Sequence, residues 1–281
     1  MNEAVVTIKD LTVRIGGRPV LDAVDLELRR KESVLIAGRN GAGKSTFLKC
    51  LAGVIIPDAG NLDFAPGLDR SKIGFISDAV SLLENASLKQ GMAFHADVYG
   101  IRDFDDSLIR ELGFDPGRRI KHLSAGERVL YHLGLITAQR PVLLLVDEII
   151  HTIDPYMRSR FLDALIDLIA EHETTVIMVN HAFAEVERLP ERILLMDDGK
   201  FVLDESSESL RGRIKRVVTA EDPPSELPVI FSRGPELRRE HYIHPFREEF
   251  RDKHPHVFED LDLEEIMKAL IGGRYAQKRN P

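Results

Sequence analysis

The chain has 281 residues, 43% of them hydrophobic and 30% charged, which is the balance of a folded globular protein and excludes a disordered one. Its net charge of −8 argues against broad nucleic-acid binding, because a duplex repels an acidic surface. The apolar runs are far shorter than the ~20 residues that cross a bilayer, and no basic-then-apolar leader opens the sequence. The single cysteine, Cys50, cannot form an internal disulfide, so we expect a cytoplasmic protein and a buried thiol at this position.

The first fifty residues predict strands, a glycine loop and a helix. Apolar and polar residues alternate over residues 5–15 and again over 26–28, a pattern typical of antiparallel strands with one exposed face. Residues 34–37 form a short apolar run that predicts a buried strand. A glycine loop follows directly, and residues 44–52 predict a helix.

The middle of the chain alternates helices with strands. Residues 88–139 are mainly helical in pattern, with breaks at Gly100 and at residues 115–117. The apolar runs 142–146 and 175–179 predict parallel strands buried on both faces. Between them, Asp154 precedes Pro155 and is expected to cap a helix. Asp198 and Gly199 predict a hairpin turn between residues 193–196 and 201–203.

Alternating strands and helices predict an α/β fold with a parallel sheet and an antiparallel N-terminal flank. Proline-rich residues 223–228 and denser charge mark a change of character, so we assign residues 1–210 to a main domain and 211–281 to a small C-terminal domain. Four histidines occur there, for which a zinc site is conceivable. No cysteine accompanies them, which favours a solvated face instead; they are His241, His244, His254 and His256.

The glycine loop, residues 38–46, reads GRNGAGKST and matches G-x-x-x-x-G-K-[ST]. Such a loop turns successive backbone N–H groups toward a phosphate, and the following helix adds the partial positive charge of its N-terminus. Lys44 can reach the β- and γ-phosphates, and the Ser45 hydroxyl can hold Mg²⁺. A plain turn would not need Lys and Ser in this register, so we predict ATP binding. The expected contacts are Gly38, Asn40, Gly41, Ala42, Gly43, Lys44, Ser45 and Thr46.

A second motif, LLLVDE at residues 143–148, places two carboxylates at the end of a buried strand. In α/β sheets that end faces the ligand crevice. Asp147 can hold Mg²⁺ through water, and Glu148 can polarise an attacking water. A solvated acidic pair is the alternative, which the upstream glycine loop makes less favourable.

Three further features complete the pattern: the pentapeptide LSAGE at residues 123–127, Asp154, and His181 in the sequence VNH. In this order the chain resembles the ATP-binding cassette (ABC) family over about residues 1–210. The resemblance implies a P-loop NTPase parallel-sheet core with an antiparallel β subdomain, a helical subdomain at about 80–138 and a small C-terminal domain. It also implies ATP hydrolysis between two copies packed head to tail.

The resemblance assigns roles to the later motifs. Ser124 and the Gly126 backbone would contact the γ-phosphate of the ATP held by the other copy. Asp154 would lie near the nucleotide, and His181 would contact the γ-phosphate and orient the water, alongside the catalytic residues Glu148 and Lys44. A lone histidine after a strand is more often structural, which is the alternative for His181.

The sequence also departs from the family pattern. Ile15 stands where an aromatic residue usually stacks on adenine, and Asp78 replaces a glutamine that links Mg²⁺ and water to the membrane partner. Asp78 can still bind Mg²⁺ through water, but a carboxylate does not donate as an amide does. Ala125 replaces the first signature glycine, and Ile149 replaces a proline. These changes concern base preference and partner coupling, while the phosphate machinery is intact.

We therefore expect the ATPase subunit of a membrane transporter, working with transmembrane permease subunits and a second copy of itself, and without nucleic acid. It would sit on the inner face of the cell membrane through its partner. Residues 263–270 resemble the C-terminal helix of the exporter-type branch, which favours export. The alternatives are a soluble ABC ATPase of repair, translation or assembly, and a regulator that holds ATP without turnover; Glu148 and His181 argue against the latter.

Overall fold

The computed structural model describes residues 3–77, 82–150, 153–235 and 238–273. None of the helices in these ranges combines the length and apolar content needed to span a membrane. The strands are β1 (Ala4–Ile15), β2 (Arg18–Arg29), β3 (Ser33–Gly38), β4 (Ala59–Phe64), β5 (Ile73–Ser77), β6 (Leu143–Asp147), β7 (Thr175–Val179), β8 (Arg192–Asp197), β9 (Lys200–Ser206), β10 (Lys215–Thr219), β11 (Val229–Arg233) and β12 (Arg239–Ile243). The α-helices are α1 (Lys44–Leu51), α2 (Leu88–Tyr99), α3 (Ser107–Glu111), α4 (Ala125–Ala138), α5 (Pro155–His172), α6 (Ser207–Arg213), α7 (Glu249–Lys253) and α8 (Leu263–Gly272).

The central sheet has six strands in the order β5-β6-β7-β3-β8-β9. The first five run parallel, and β9 pairs antiparallel with β8 across the predicted hairpin. Strands β3, β6 and β7 are buried at every position, as their continuous apolar sequences predict. The α/β fold with a parallel core is confirmed. Because the strands are parallel, the loops after β3, β6 and β7 emerge at the same edge of the sheet.

The N-terminal flank is a separate antiparallel sheet in the order β2-β1-β4. Its buried side chains join one core cluster with the buried face of α1, including Phe47 and Cys50. Cys50 is 2% exposed and burial raises the pKa of its thiol to about 11, so it is the small buried hydrophobe that we expected. The flank and α1 together fix the glycine loop between β3 and the helix.

Helices α2, α3 and α4 follow the predicted helical stretch, and α2 ends at Gly100, which has a φ of 64°. The buried Tyr131 hydroxyl donates to the Leu88 carbonyl at 2.8 Å and joins α4 to α2. Leu88, Ile120 and Tyr131 belong to a small core of their own. This arrangement supports a helical subdomain, whose exact bounds stay a prediction.

The C-terminal part forms a second antiparallel sheet in the order β10-β12-β11, with α6, α7 and α8 around it. The buried face of α8 belongs to the same core cluster as the central sheet and α5. Helix α6 crosses the predicted boundary at residue 211. The division into domains therefore stays a prediction, but this part packs on the main core directly.

The prediction of a solvated histidine face is wrong for three of the four histidines, since the His254 side chain is also only 10% exposed. His241 is 2% exposed and His244 is 9% exposed. His241 lies on β12, the middle strand of the C-terminal sheet, and a middle strand has neighbours on both edges. Burial lowers the pKa of the His241 and His244 imidazoles, because it disfavours the charged form.

Candidate active site

The glycine loop between β3 and α1 takes backbone conformations that only glycine adopts easily. Gly38, Gly41 and Gly43 have φ values of 147°, 81° and 108°. A Cβ on Gly38 would lie 2.2 Å from the Met196 carbonyl oxygen, and one on Gly43 would lie 2.7 Å from that of Val20. Gly38 and Gly43 are therefore required for two reasons: their φ values are positive, and neighbouring backbone leaves no room for a Cβ atom.

Lys44 is the first residue of α1, and its side chain folds back into the loop. It is only 4% exposed, and its Nζ donates to the carbonyl oxygens of Gly38 and Arg39 at 3.0 Å each. Burial lowers the pKa of this ammonium, whereas the charges of Glu148 and Asp147 act in the opposite direction. The loop thus holds a buried cation where the motif expects phosphates.

Ser45 and Asp147 meet at the same edge of the sheet. The Ser45 Oγ donates to Asp147 Oδ1 at 2.8 Å, joining the start of α1 to the end of β6. A hydroxyl and a carboxylate oxygen are the hard ligands that Mg²⁺ prefers, so the donor set fits this ion. Asp78, the third predicted ligand, lies outside the described residues.

Glu148 and His181 also come together. Glu148 Oε1 lies 2.9 Å from His181 Nε2 and 3.9 Å from Lys44 Nζ. The Glu148 backbone has a φ of 49°, in the left-handed region, while its N–H still donates to the Val179 carbonyl at 3.0 Å. A non-glycine residue in this region costs of order 1 kcal/mol, and such strain is often found at functional sites.

The loop carrying His181 is fixed by Asn180, which the sequence reasoning missed. Asn180 is 1% exposed; its Oδ1 accepts from the Ala182 N–H at 3.2 Å and its Nδ2 donates to the Ala182 carbonyl at 3.0 Å. Asn side chains commonly close short turns of this kind. The available signal was an asparagine directly between a buried strand and the candidate histidine.

An open cavity of about 300 Å³ lies over the loop. Of the described residues, its lining consists of Val20, Asn40, Gly41, Gly43, Lys44, Ser45, Thr46 and Glu148. Val20 was not anticipated. Ile15 lies at the end of β1, 56% exposed and outside this lining. Gly38 and Ala42, two other predicted contacts, are buried residues of the loop and do not line the cavity either.

Ser124 caps α4 rather than lining the cavity. Its Oγ accepts from the Glu127 N–H at 3.2 Å, and the Glu127 carboxylate accepts from the Ser124 N–H at 2.7 Å. Arg118 holds that carboxylate with two hydrogen bonds of 2.6 and 3.0 Å. Sequence reasoning missed Arg118, because nothing in the local pattern links it to a residue nine positions later.

Gly126 and Asp154 lie beside one another, also outside the cavity. A Cβ on Gly126 would lie 3.2 Å from Met157 Cγ and 3.4 Å from Asp154 Oδ2. The Asp154 Oδ1 accepts from the N–H groups of Tyr156 and Met157 at 3.1 Å each and caps α5, as predicted. The exposed residues Ser124 and Asp154 therefore present a second surface, separate from the glycine loop.

Comparison with known proteins decides the family. Residues 21–151 match the sequence profile of a family described as ABC transporter. The aliphatic sulfonates import ATP-binding protein SsuB 1 of Nocardia farcinica is 33% identical over 74% of this chain and 84% of that protein. The chain belongs to the ABC transporter family.

Other ABC relatives agree with this assignment. The Fe(3+) ions import ATP-binding protein FbpC of Streptomyces avermitilis is 34% identical over 69% of this chain, which spans 60% of that relative's length. A solved structure described as the ATP binding subunit of an ABC transporter has a TM-score of 0.67 at 23% identity, covering 74% of this chain and 92% of that one. A dimeric ATP-binding cassette bound to ADP and Pi has a TM-score of 0.62 at 22% identity, covering 72% and 98%. These structures show the shared ABC fold.

As an ABC family member, the chain is an ATP-binding subunit and an ATPase. The expected exporter-type branch has no support from the relatives named above, which are import proteins by name. The alternative of a soluble ABC ATPase outside transport is not favoured.

Proposed function

We propose that this ABC subunit hydrolyses ATP at the site formed by Lys44, Ser45, Asp147, Glu148 and His181, and thereby drives transport through a membrane permease. The observation that carries the proposal is the pairing of Glu148 with His181 at 2.9 Å, only 3.9 Å from the buried Lys44 cation. A phosphate-binding cation, a carboxylate base and an orienting imidazole lie together at one edge of the sheet. This constellation suits phosphoryl transfer to water.

In the proposed reaction, the oxygen of a water attacks the γ-phosphorus of ATP. The bond from that phosphorus to the β–γ bridging oxygen breaks, and ADP leaves with the bonding electrons. Glu148 orients the water and accepts its proton, and His181 holds Glu148 and the γ-phosphate in place. Lys44 and the loop amides stabilise the charge on the phosphate oxygens.

Ser45 and Asp147 would hold Mg²⁺, which supplies charge neutralisation on the β- and γ-phosphate oxygens when bound. The 2.8 Å contact between their oxygens brings the two ligands to the same place. Asp78, which stands where the family has a glutamine, would add a contact to Mg²⁺ through water.

A second copy of the chain completes the proposed site. Ser124 and Gly126 lie outside the cavity over the glycine loop, and in the proposed arrangement they contact the γ-phosphate of the ATP held by the other subunit. Ser124 lies at the exposed N-terminus of α4, where backbone N–H groups favour an anion. The dimeric state of the similar solved cassette supports this arrangement.

The proposed permease partner places the subunit on the cytoplasmic face of the membrane. The relatives' names favour import as the direction of transport. Export is the second candidate, because residues 263–270 resemble the C-terminal helix of exporters and do form a helix, α8. The cargo follows from the permease and not from this chain.

The test is to co-express this chain with each multispanning membrane protein found in the neighbouring reading frames, to test for co-purification, and to assay the ATPase activity of any complex in proteoliposomes. We expect a stable complex whose ATPase activity differs from that of the isolated subunit, and a complex with Glu148→Gln that assembles but does not turn over. A subunit that hydrolyses ATP but never associates with the membrane protein would contradict the transport role. ATP-dependent uptake or release of substrate by vesicles that carry the ATPase subunit on one known side then gives the direction of transport.

A further inference from the structure

The segment that follows His181 is held in place from two sides. A 3₁₀ turn, Phe183–Val186, begins two residues after His181. Phe183 is 5% exposed and Val186 is 1% exposed, and both belong to the main core. The polar residues Glu185 and Glu187 of the same segment face neighbouring elements and form the two attachments.

The first attachment joins this segment to the loop that follows Glu148. Arg158, in the second turn of α5, pairs with the Glu185 carboxylate. The same guanidinium donates to the carbonyl oxygens of Ile150 at 3.2 Å and Ile153 at 3.0 Å. Arg158 therefore ties the backbone after Glu148 to the segment after His181.

The second attachment joins the segment to the C-terminal part of the chain. The Glu187 carboxylate accepts from the N–H of Leu263, the first residue of α8, at 2.9 Å. It also pairs with Arg211 of α6 at 2.6 Å, and Arg211 donates to the Glu187 carbonyl at 3.0 Å. One side chain, six residues after His181, thus contacts two C-terminal helices.

The contacts around Glu187 indicate that this attachment fixes the position of the His181 segment and adds little to the stability of the fold. Ile266 and Leu270 of α8 lie in the same core cluster as Phe183 and Val186, so the helix would stay packed without Glu187. Arg211 is 40% exposed, and an ion pair that solvent reaches contributes only ~0–1 kcal/mol. What Glu187 adds is a fixed distance between the His181 segment and the start of α8.

We propose that Glu187 is a positioning residue through which the C-terminal part, residues 207–273, holds His181 against Glu148. The inference rests on the roles proposed above for Glu148 and His181.

The test compares Glu187→Ala and Arg211→Ala with Arg213→Ala in the full chain. Arg213 is the matched control: it lies on the same helix as Arg211 but pairs with Glu205 at 3.0 Å. The readouts are kcat and KM for MgATP, and the NMR signal of the His181 ring, assigned from its loss in His181→Ala. Urea unfolding of each variant confirms that the proteins are folded under assay conditions.

We expect Glu187→Ala to lower kcat about ten- to a hundredfold, because small misplacements of catalytic groups cost rate on this scale. KM should stay within about twofold, since the phosphate loop is untouched. The His181 ring signal should move toward its position in Glu148→Ala, in which the side chain that contacts His181 is removed. Arg211→Ala should act in the same direction, and Arg213→Ala should match the wild type.

Glu187→Gln keeps an oxygen that can accept from Leu263 but loses the ion pair, so it should fall between the wild type and Glu187→Ala. If Glu187→Ala does not fold, the measurements are made on Glu187→Gln instead. Wild-type kcat in the folded Glu187 variants, or a lowered kcat with an unmoved His181 signal, overturns the inference. Wild-type turnover in Glu148→Gln instead overturns the proposed catalytic roles.

Discussion

Replacing Glu148 by glutamine tests the proposed chemistry most directly. The substitution keeps the size and shape of the side chain but removes its charge and basicity. The amide oxygen can still accept from His181 across the 2.9 Å contact, so the loop should keep its conformation. What is lost is the group that accepts the water proton, and positioned general bases contribute ~10²–10⁴ in rate, or roughly 3–5.5 kcal/mol of barrier.

Binding of ATP should move in the opposite direction. The Glu148 carboxylate is 3.9 Å from the Lys44 ammonium, a separation at which unit charges interact by about 1 kcal/mol in water and about 4 at an effective dielectric of 20. Removing that carboxylate leaves Lys44 freer to act on phosphate. We therefore expect kcat to fall by at least about a hundredfold while ATP affinity is equal or higher, and an ATP-driven dimer that persists.

Phosphate release measures the first effect, isothermal titration the second and light scattering the dimer. Turnover within about threefold of the wild type would show that another group activates the water. A variant that loses ATP binding would show that Glu148 is structural. A monomer in saturating MgATP would contradict the two-copy site.

Three further changes test other parts of the structure. Lys44→Ala removes the buried cation and should abolish most ATP binding and turnover, and wild-type rates would place the site elsewhere. Ser124→Arg should be inactive alone but partly active when mixed with Lys44→Ala, because one of the two mixed sites then carries neither change; full activity alone would mean that each subunit acts by itself. Burial lowers the pKa of His132 to about 4, below the ~6.5 of an unfolded chain, so protonation favours unfolding as the pH falls from 6.5 toward 4. His132→Leu should therefore remove about 1.4 kcal/mol of the stability loss at pH 5.5 in urea unfolding, and an unchanged pH slope would refute this.

The catalytic groupings could be predicted because each depends on a contiguous motif at the end of a buried strand. The run before Asp147 is continuously apolar, which identifies a central parallel strand, and the carboxyl ends of such strands meet at one edge. The same reasoning brings Ser45 to Asp147, and Glu148 to His181, which the structure places at 2.8 and 2.9 Å.

Contacts between distant polar residues could not be predicted in this way. Two ion pairs illustrate this limit: Arg118 with Glu127, and Arg211 with Glu187. In the sequence these residues are typical of an exposed surface, and no periodic pattern indicates which charged residue pairs with which. The same limit explains the error at His241. A segment dense in charge resembles a solvated face, and only the strand order shows that β12 lies in the middle of its sheet.

The described residues near the glycine loop offer little aromatic surface on which the adenine base of ATP could stack. Ile15 ends β1 beside a two-glycine turn and is 56% exposed, so it offers apolar contact but no aromatic face. Phe201, an aromatic residue of β9, packs edge-on against the buried Phe47 with ring centroids 5.2 Å apart, so its ring lies against the core. Base–aromatic stacking contributes ~1–3 kcal/mol in nucleic-acid binders, and phosphate contacts do not sense the base.

Weak discrimination between ATP and GTP therefore follows for the wild type, with modest ATP affinity. Ile15→Tyr should tighten ATP binding by up to ~1 kcal/mol, about fivefold, because it supplies the missing ring. Phe201→Leu should leave both affinities within about twofold, since it alters only the packing around Phe47. Titration of both nucleotides against the three proteins decides the matter. Strong ATP preference in the wild type, unchanged in Ile15→Tyr and lost in Phe201→Leu, would show that Phe201 leaves the core to read the base.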